Sequence, residues 1–322
     1  MIGWKNDQRS FSRRPKGSNE TMKALVTGGA GFIGSWLVGG LIEKGFEVVI
    51  LDNLSTGKRE NLNDKAKFYE IDISDKEVCG IFEKEKIDYV FHLAAQINVR
   101  ESIKNPVDDA KINILASLNL LNCCVKNNVK KFIFSSTGGA IYGEDCEIPT
   151  SEKEKELPLS PYGIAKLSIE NYLRFYKKVF GLDYVVLRYA NVYGPRQNFK
   201  GEAGVIALFI NNVLEGKEIV INGSGNQTRD YVYVKDVVKA NLLALDLNGT
   251  FNVGTGIETN VNELLKKIKE LMEINIDPKH GEEISGELQR SCLDITSLKE
   301  KGWEIECGLE KGLKETVEFF KK

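Results

Sequence analysis

The stretch "SPYGIAKLSIE", residues 160–170, sets Tyr162 and Lys166 four positions apart, directly after Pro161. On a helix, residues four apart share a face, one turn from each other. A phenol has a pKa of about 10, so Tyr162 needs help to act as a base near neutrality. An ammonium about 5 Å away, at an effective dielectric near 20, contributes roughly 3 kcal/mol, or about 2 pKa units. Lys166 can supply that charge. Upstream, "KFIFSSTGGAIYG" ends an apolar run with Ser135, Ser136 and Thr137. A hydroxyl there can hydrogen-bond both a substrate alcohol and the phenol, and so carry a proton between them. Thr137 is the first candidate for that relay and Ser136 the second.

"TGGAGFIG" places Gly28, Gly31 and Gly34 between a strand-like run and a helical pattern. Glycine permits the tight turn and a close backbone approach to a pyrophosphate. The helix amino end adds free N–H groups and a favourable dipole. Asp52 closes the next run, "VVILDN", where an acid accepts hydrogen bonds from an adenosine ribose and repels a 2′-phosphate. The expected cofactor is NAD. Its oxidised nicotinamide would add positive charge beside Tyr162, and Lys166 could also bind the nicotinamide ribose.

These residues need a scaffold. From Met22 the chain alternates short apolar runs ("KALVTGG", "EVVILDN", "KFYEIDI", "YVFHLAA", "KFIFSST", "YVVLRYAN") with helix-length segments. In the first helix, Ile33, Leu37 and Leu41 fall at helical spacing and Gly45 is a stop. The pattern predicts a Rossmann-type doubly wound parallel α/β sheet, helices on both faces. After Asn191 it loosens into a Gly/Pro-bearing loop, a helix over 205–214, a turn "NGSGNQ", a returning strand "FNVGTG", a polar irregular stretch over 277–289, and a last helix striped by Leu309, Leu313, Val317 and Phe320. The expected division is an NAD-binding domain over 22–191 with a return near 230–256. A smaller C-terminal substrate-binding domain takes 192–229 and 257–322 and caps the carboxyl edge of the sheet, where ligands of such folds bind. Residues 1–21 are polar and irregular; they read as a disordered extension or an early start codon, with Met22 the functional start.

At 322 residues the chain exceeds the size one core usually serves. Its 42% hydrophobic and 28% charged content is that of a soluble globular protein. A net charge of -2 gives no electrostatic basis for binding nucleic acid or an acidic membrane. No apolar run approaches the roughly 20 residues of a membrane span. The six cysteines form no Cys-x-x-Cys pair and no metal spacing. They are expected to be buried or idle thiols in a reducing cytoplasm, with no evident disulfide framework.

From Met22 onward the chain resembles the extended short-chain dehydrogenase/reductase family, and within it the NAD-dependent UDP-glucose 4-epimerases. "TGGAGFIG", "LDNLSTG", "HLAAQ", "SSTGGAIYG", "SPYGIAK", "RYANVYGPRQ", "RDYVYVKDVV" and "FNVGTG" match in order. The resemblance implies Tyr162 as base, Lys166 as its modulator and Thr137 as relay. It implies cofactor contacts from Gly28, Gly31, Phe32, Ile33 and Gly34; from Asp52, Asn53, Ser55, Thr56 and Gly57; from Asp72 and Ile73 beside the adenine; from Leu93, Ala94, Ala95 and Gln96; and from Asn113, Ser135 and Tyr189. Asn191, Gly204, Val205, Arg229 and Tyr231 would join Thr137 and Tyr162 around a UDP-sugar, Arg229 pairing with the diphosphate. Glu287 would contact the uridine ribose, and Ser291 would border the sugar 2-position. Ile284 stands where relatives carry a diphosphate-binding arginine; Lys279 or His280 lies near enough to substitute.

The implied reaction interconverts UDP-glucose and UDP-galactose through a 4-keto sugar, with NAD kept bound. A small Ser291 leaves room for N-acetylated UDP-sugars. Another NAD-dependent nucleotide-sugar epimerase, a decarboxylase or a 4,6-dehydratase on the same scaffold is an alternative, but the family's dehydratases carry Asp-Glu after the threonine, and here stand Gly138 and Gly139. A non-catalytic NAD-sensing regulator is a further alternative, and such proteins usually lack the tyrosine. The resemblance also implies a homodimer through a four-helix bundle. Apolar Ile112, Ile114, Leu115, Leu118, Leu120 and Leu121 on a helix near 108–125, and Leu167, Leu173, Phe175 and Tyr176 on the helix after Tyr162, would supply it.

Overall fold

The computed structural model describes residues 21–199, 204–283 and 288–322. Short runs rich in Val, Ile and Phe form the strands, because branched and aromatic side chains suit a pleated, buried surface. In chain order the elements are β1 (Lys23–Thr27), α1 (Phe32–Glu43), β2 (Glu47–Asp52), β3 (Lys67–Glu70), α2 (Val78–Glu85), β4 (Tyr89–His92), α3 (Val99–Lys104), α4 (Pro106–Ala110), α5 (Ala116–Lys126), β5 (Lys131–Thr137), α6 (Pro161–Phe180) and β6 (Asp183–Tyr189). Then follow β7 (Asn191–Tyr193), α7 (Val205–Leu214), β8 (Val220–Asn222), β9 (Thr228–Tyr233), α8 (Val234–Leu243), β10 (Gly249–Val253), β11 (Glu258–Asn260), α9 (Val261–Met272), β12 (Lys279–Gly281), α10 (Thr296–Lys299) and α11 (Leu309–Phe320).

Seven strands form one sheet in the order β10-β6-β5-β4-β1-β2-β3, every pair parallel. The order reverses between β1 and β4, the switch point at which doubly wound sheets bind ligands. Separate apolar cores cover its two faces. Val26, Ile50, Phe91, Ile133 and Leu187 point to one, and Leu25, Leu51, Val90, Phe132 and Val186 to the other. This alternation along each strand is the period of two that a sheet covered on both sides requires. A third core gathers Tyr193, Phe209, Ile221, Leu264 and Leu313 around the small sheets β11-β9-β7 and β12-β8.

Three local expectations change. The helix near 108–125 begins at Pro106, where a missing N–H costs nothing, and widens to π geometry over Lys111–Leu115 before α5. The stretch 277–289 contains a strand, β12, parallel to β8. Of the apolar residues expected on the outside, Leu120, Leu121, Leu173 and Tyr176 are core, while Ile112, Leu115 and Phe175 stay exposed.

The cysteine expectation is corrected. Cys79 on α2 and Cys123 on α5 form a disulfide, their Cα atoms 5.0 Å apart. The two helices pack side by side on one sheet face, a neighbourhood invisible in a sequence separation of 44 residues. Cys124, Cys292 and Cys307 are buried free thiols, and Cys146 is a half-buried one.

Candidate active site

α6 starts sharply because Pro161 fits its first turn and the Ser160 hydroxyl accepts the Gly163 N–H at 3.2 Å. Tyr162 and Lys166 therefore sit in its first two turns, on the face toward β5. The Tyr162 N–H also reaches the Ser102 hydroxyl of α3 at 3.3 Å. Lys166 is buried, and its ammonium donates to the Ser135 carbonyl at 2.8 Å. Nζ lies 5.8 Å from the Tyr162 ring centroid and 4.9 Å from that of Phe134. Burial pushes the Lys166 pKa down to about 8, against the opposing pull of Asp109 and Glu170.

The hydroxyls at the end of β5 separate by strand alternation. Ser136 donates to Glu170 Oε1 at 2.6 Å inside the protein. Ser135 bonds the Tyr189 hydroxyl at 3.0 Å, and burial pushes that phenol up to about 12. Thr137 is half-buried, its Cα paired with that of Tyr189. It follows these two on the strand but is not among the residues that line the cleft described next.

Tyr162, Lys166, Ser135 and Ser136 line one cleft together with Gly28, Gly31, Phe32, Ile33, Gly34, Asp52, Asn53, Ser55, Thr56, Asp72, Ile73, Leu93, Ala94, Ala95 and Tyr189. Leu51, Ile71, Ile97 and Ile112 line it too; as apolar residues they carried no chemical signal in the sequence. The residues fit NAD. Gly28 has φ +70°, and a Cβ there would lie 2.9 Å from the Ala94 nitrogen; one on Gly34 would lie 2.1 Å from the Gly28 oxygen. Glycine at these two positions leaves this cradle open beneath the uncapped amino end of α1. Asp52 is fixed at the end of β2 by the N–H groups of Ala30 (2.9 Å) and Leu54 (2.8 Å). Gly57 packs on it, since a Cβ would meet Oδ1 at 2.9 Å.

Gln96 and Asn113 stand apart from the lining residues. The Gln96 N–H donates to Asn113 Oδ1, and Asn113 Nδ2 donates to the Gln96 carbonyl, both at 2.9 Å. Both side chains also donate to Asp109 Oδ1 at 2.9 Å. These amides brace the loop after β4. The other end of that loop hangs on Thr27, whose hydroxyl oxygen takes the Leu93 and Ala94 N–H groups at 3.1 Å. Thr27 Oγ1 in turn lies 2.7 Å from Nδ1 of buried His92, and His92 Nε2 lies 2.8 Å from the Ser117 hydroxyl. Ser117 donates onward to the Asn113 carbonyl, so the network is satisfied with His92 neutral and Nε2 protonated. Burial, aided by the charge of Lys166, lowers the His92 pKa to about 3.

On the substrate side, Asn191 and Tyr231 are register partners on β7 and β9. Arg229, on the same strand, donates to the Thr228 carbonyl at 2.8 Å. The Ser291 N–H bonds the same carbonyl oxygen at 3.2 Å. Gly204 and Val205 open α7. Lys279 pairs with Glu218 at 2.6 Å, and His280 Nδ1 lies 2.8 Å from the Gly223 carbonyl. Ile284 and Glu287 lie outside the described residues. A Cβ on Gly138 would meet Leu293 at 2.5 Å, so this position holds no acid without repacking.

The model of the NAD dependent epimerase/dehydratase family matches residues 24–254. Among solved structures, the chain is similar to the UDP-glucose 4-epimerase of Thermotoga maritima crystallised with UDP-glucose (54% identity, TM-score 0.92, 93% of this chain and 99% of that one). It is similar to the Thermus thermophilus UDP-glucose 4-epimerase in complex with NAD (42%, TM-score 0.89, 93% and 99%). It is also similar to the UDP-N-acetylglucosamine 4-epimerase of Methanobrevibacter ruminantium in complex with UDP-N-acetylmuramic acid (42%, TM-score 0.89, 94% and 98%).

Proposed function

The chain belongs to the NAD-dependent epimerase/dehydratase family, and from that premise we propose that it interconverts UDP-glucose and UDP-galactose. The observation that carries this reading is Tyr162 and Lys166, one helical turn apart, facing the same cleft as the glycine turn. When bound, NAD supplies a reversible hydride acceptor. Lys166 holds positive charge beside the phenol and favours its ionised form. Tyr162 takes the proton of the sugar 4-hydroxyl, with Thr137 as relay, and later returns it to the same oxygen; the configuration inverts because the C4 hydrogen comes back on the other face of the ring. The 4-keto sugar that exists between the two transfers turns over in the site. Asn191, Arg229 and Tyr231 hold the nucleotide. Gly138 and Gly139 supply no acid–base pair for dehydration, which favours epimerisation within the family.

Ser291, smaller than a tyrosine by a ring, leaves space at the sugar 2-position for an acetamide, so we read N-acetylated UDP-sugars as further substrates. The exposed apolar strip of α4, the π segment and α6 is read as a homodimer interface, a four-helix bundle when two copies meet. The test is to incubate the protein with UDP-galactose or UDP-glucose, with no NAD added, and separate the products. Each sugar should yield the other; recovery of unchanged sugar from both incubations overturns the reading.

A further inference from the structure

Glu170 and Arg188 are each 1% exposed. They form a two-pronged pair, Arg188 Nε to Glu170 Oε1 at 3.1 Å and Nη2 to Oε2 at 2.6 Å. Arg188 also donates to the Tyr142 hydroxyl at 2.9 Å and to Glu156 at 2.6 Å. Replacing such a buried pair by apolar side chains is often neutral or stabilising, so stability alone is a poor account of it. Its placement suggests another. Tyr162, Lys166 and Glu170 fall at four-residue intervals on one face of α6. Lys166 grips the Ser135 carbonyl at 2.8 Å, and one turn later Glu170 grips the Ser136 hydroxyl at 2.6 Å. The next residue of β5 is Thr137. The helix that carries the base thus holds the strand that carries the relay at two consecutive residues.

We propose that Glu170, locked by Arg188 and acting through the Ser136 hydroxyl, is a positioning residue that fixes Thr137 relative to Tyr162. The proposal rests on the reading of those two as relay and base. Ser136→Ala removes the grip and leaves the ion pair intact. The expected result is a fall in kcat of roughly 10–100-fold, the scale of a misplaced catalytic group, with KM for UDP-glucose and the NAD content unchanged. In a Thr137→Ala background Ser136→Ala should cost nothing more. The double replacement Glu170→Met with Arg188→Met should stay folded at the assay temperature, as circular dichroism would show, and show the same loss of kcat. Native kcat in either variant, a loss that tracks KM, or additivity with Thr137→Ala would overturn the proposal. If Thr137→Ala itself is fully active, the relay assignment is what fails. If the native chain turns over no UDP-sugar, the substrate reading fails, and amide hydrogen exchange over 137–139 decides the positioning: faster in Ser136→Ala supports it, unchanged refutes it.

Discussion

Lys166 donates to the main-chain carbonyl of Ser135 at 2.8 Å, so the charge that stands 5.8 Å from the Tyr162 ring is anchored to backbone and not to a carboxylate that would neutralise it. With a pKa lowered to about 8 by burial, Lys166 is charged below that pH and loses its charge above it. Turnover should therefore decline as pH rises through about 8. Tyr162→Phe should lower kcat by about 10²–10⁴-fold while NAD still copurifies, and Lys166→Met should remove the decline near pH 8. An alkaline limb unmoved in Lys166→Met would refute the assignment.

His92 makes a prediction about stability. The unfolded imidazole titrates near 6.5, and burial lowers the folded value to about 3. Between these the unfolded chain binds the extra proton, so stability is present above about 6.5 and lost as pH falls. At pH 5 the loss is about 2 kcal/mol. Urea unfolding at pH 7 and pH 5 should show this difference in the native chain and a smaller one in His92→Gln. Equal slopes in both would point to other groups.

The Cys79–Cys123 bridge closes a separation of 44 residues, for which chain-entropy arguments give about 4 kcal/mol. Without reductant, denatured protein should offer four thiols to a thiol reagent, and six after reduction. Six in both samples would show that the bridge does not form in solution. Cys79→Ser should lower the urea midpoint to match.

Ser291→Tyr should cut turnover of UDP-N-acetylglucosamine at least about tenfold relative to UDP-glucose, on the scale of a polar group denied its place. The ratio of the two activities, measured in one preparation, is the readout. An unchanged ratio places the gate elsewhere.

Val107, Leu115, Phe175 and Val179 are 67%, 60%, 49% and 55% exposed, an apolar strip that a second copy would cover. Sedimentation at micromolar concentration should give twice the chain mass, and Leu115→Asp with Phe175→Asp should give one. A native mass of one chain would rule the dimer out.

What could be read from sequence was local. The glycine turn, Asp52 at a strand end, and Tyr162 with Lys166 after a helix-starting proline all depend on near neighbours along the chain, and all meet in one cleft. What escaped was settled between distant elements. Glu170 and Arg188 look like surface charges until α6 and β6 bury them together. The bonds that tie Gln96 and Asn113 to each other and Asn113 to Asp109 join the loop after β4 to a helix further along the chain. The cysteines of α2 and α5 meet only because both helices cross the same sheet face. The apolar excess near 108–125 was visible, but which residues turn outward depends on the π segment, which rotates the helix faces in a way hydrophobic spacing does not reveal.

Asp230, fully buried on β9, takes donors from Thr255 at 2.7 and 2.6 Å, Gly256 at 3.1 Å and Leu293 at 3.3 Å. Burial raises its pKa while these donors lower it. One carboxylate thus rivets together the strand bearing Arg229 and Tyr231, the loop leaving the last strand of the large sheet, and the segment that follows Ser291. Separating them would take the donors from a buried carboxylate, so this seam resists opening like a hinge with its pin set. Arg229, Tyr231 and Ser291 then belong to one rigid wall, and a substitution that reshapes the wall at one of them should be felt at the others.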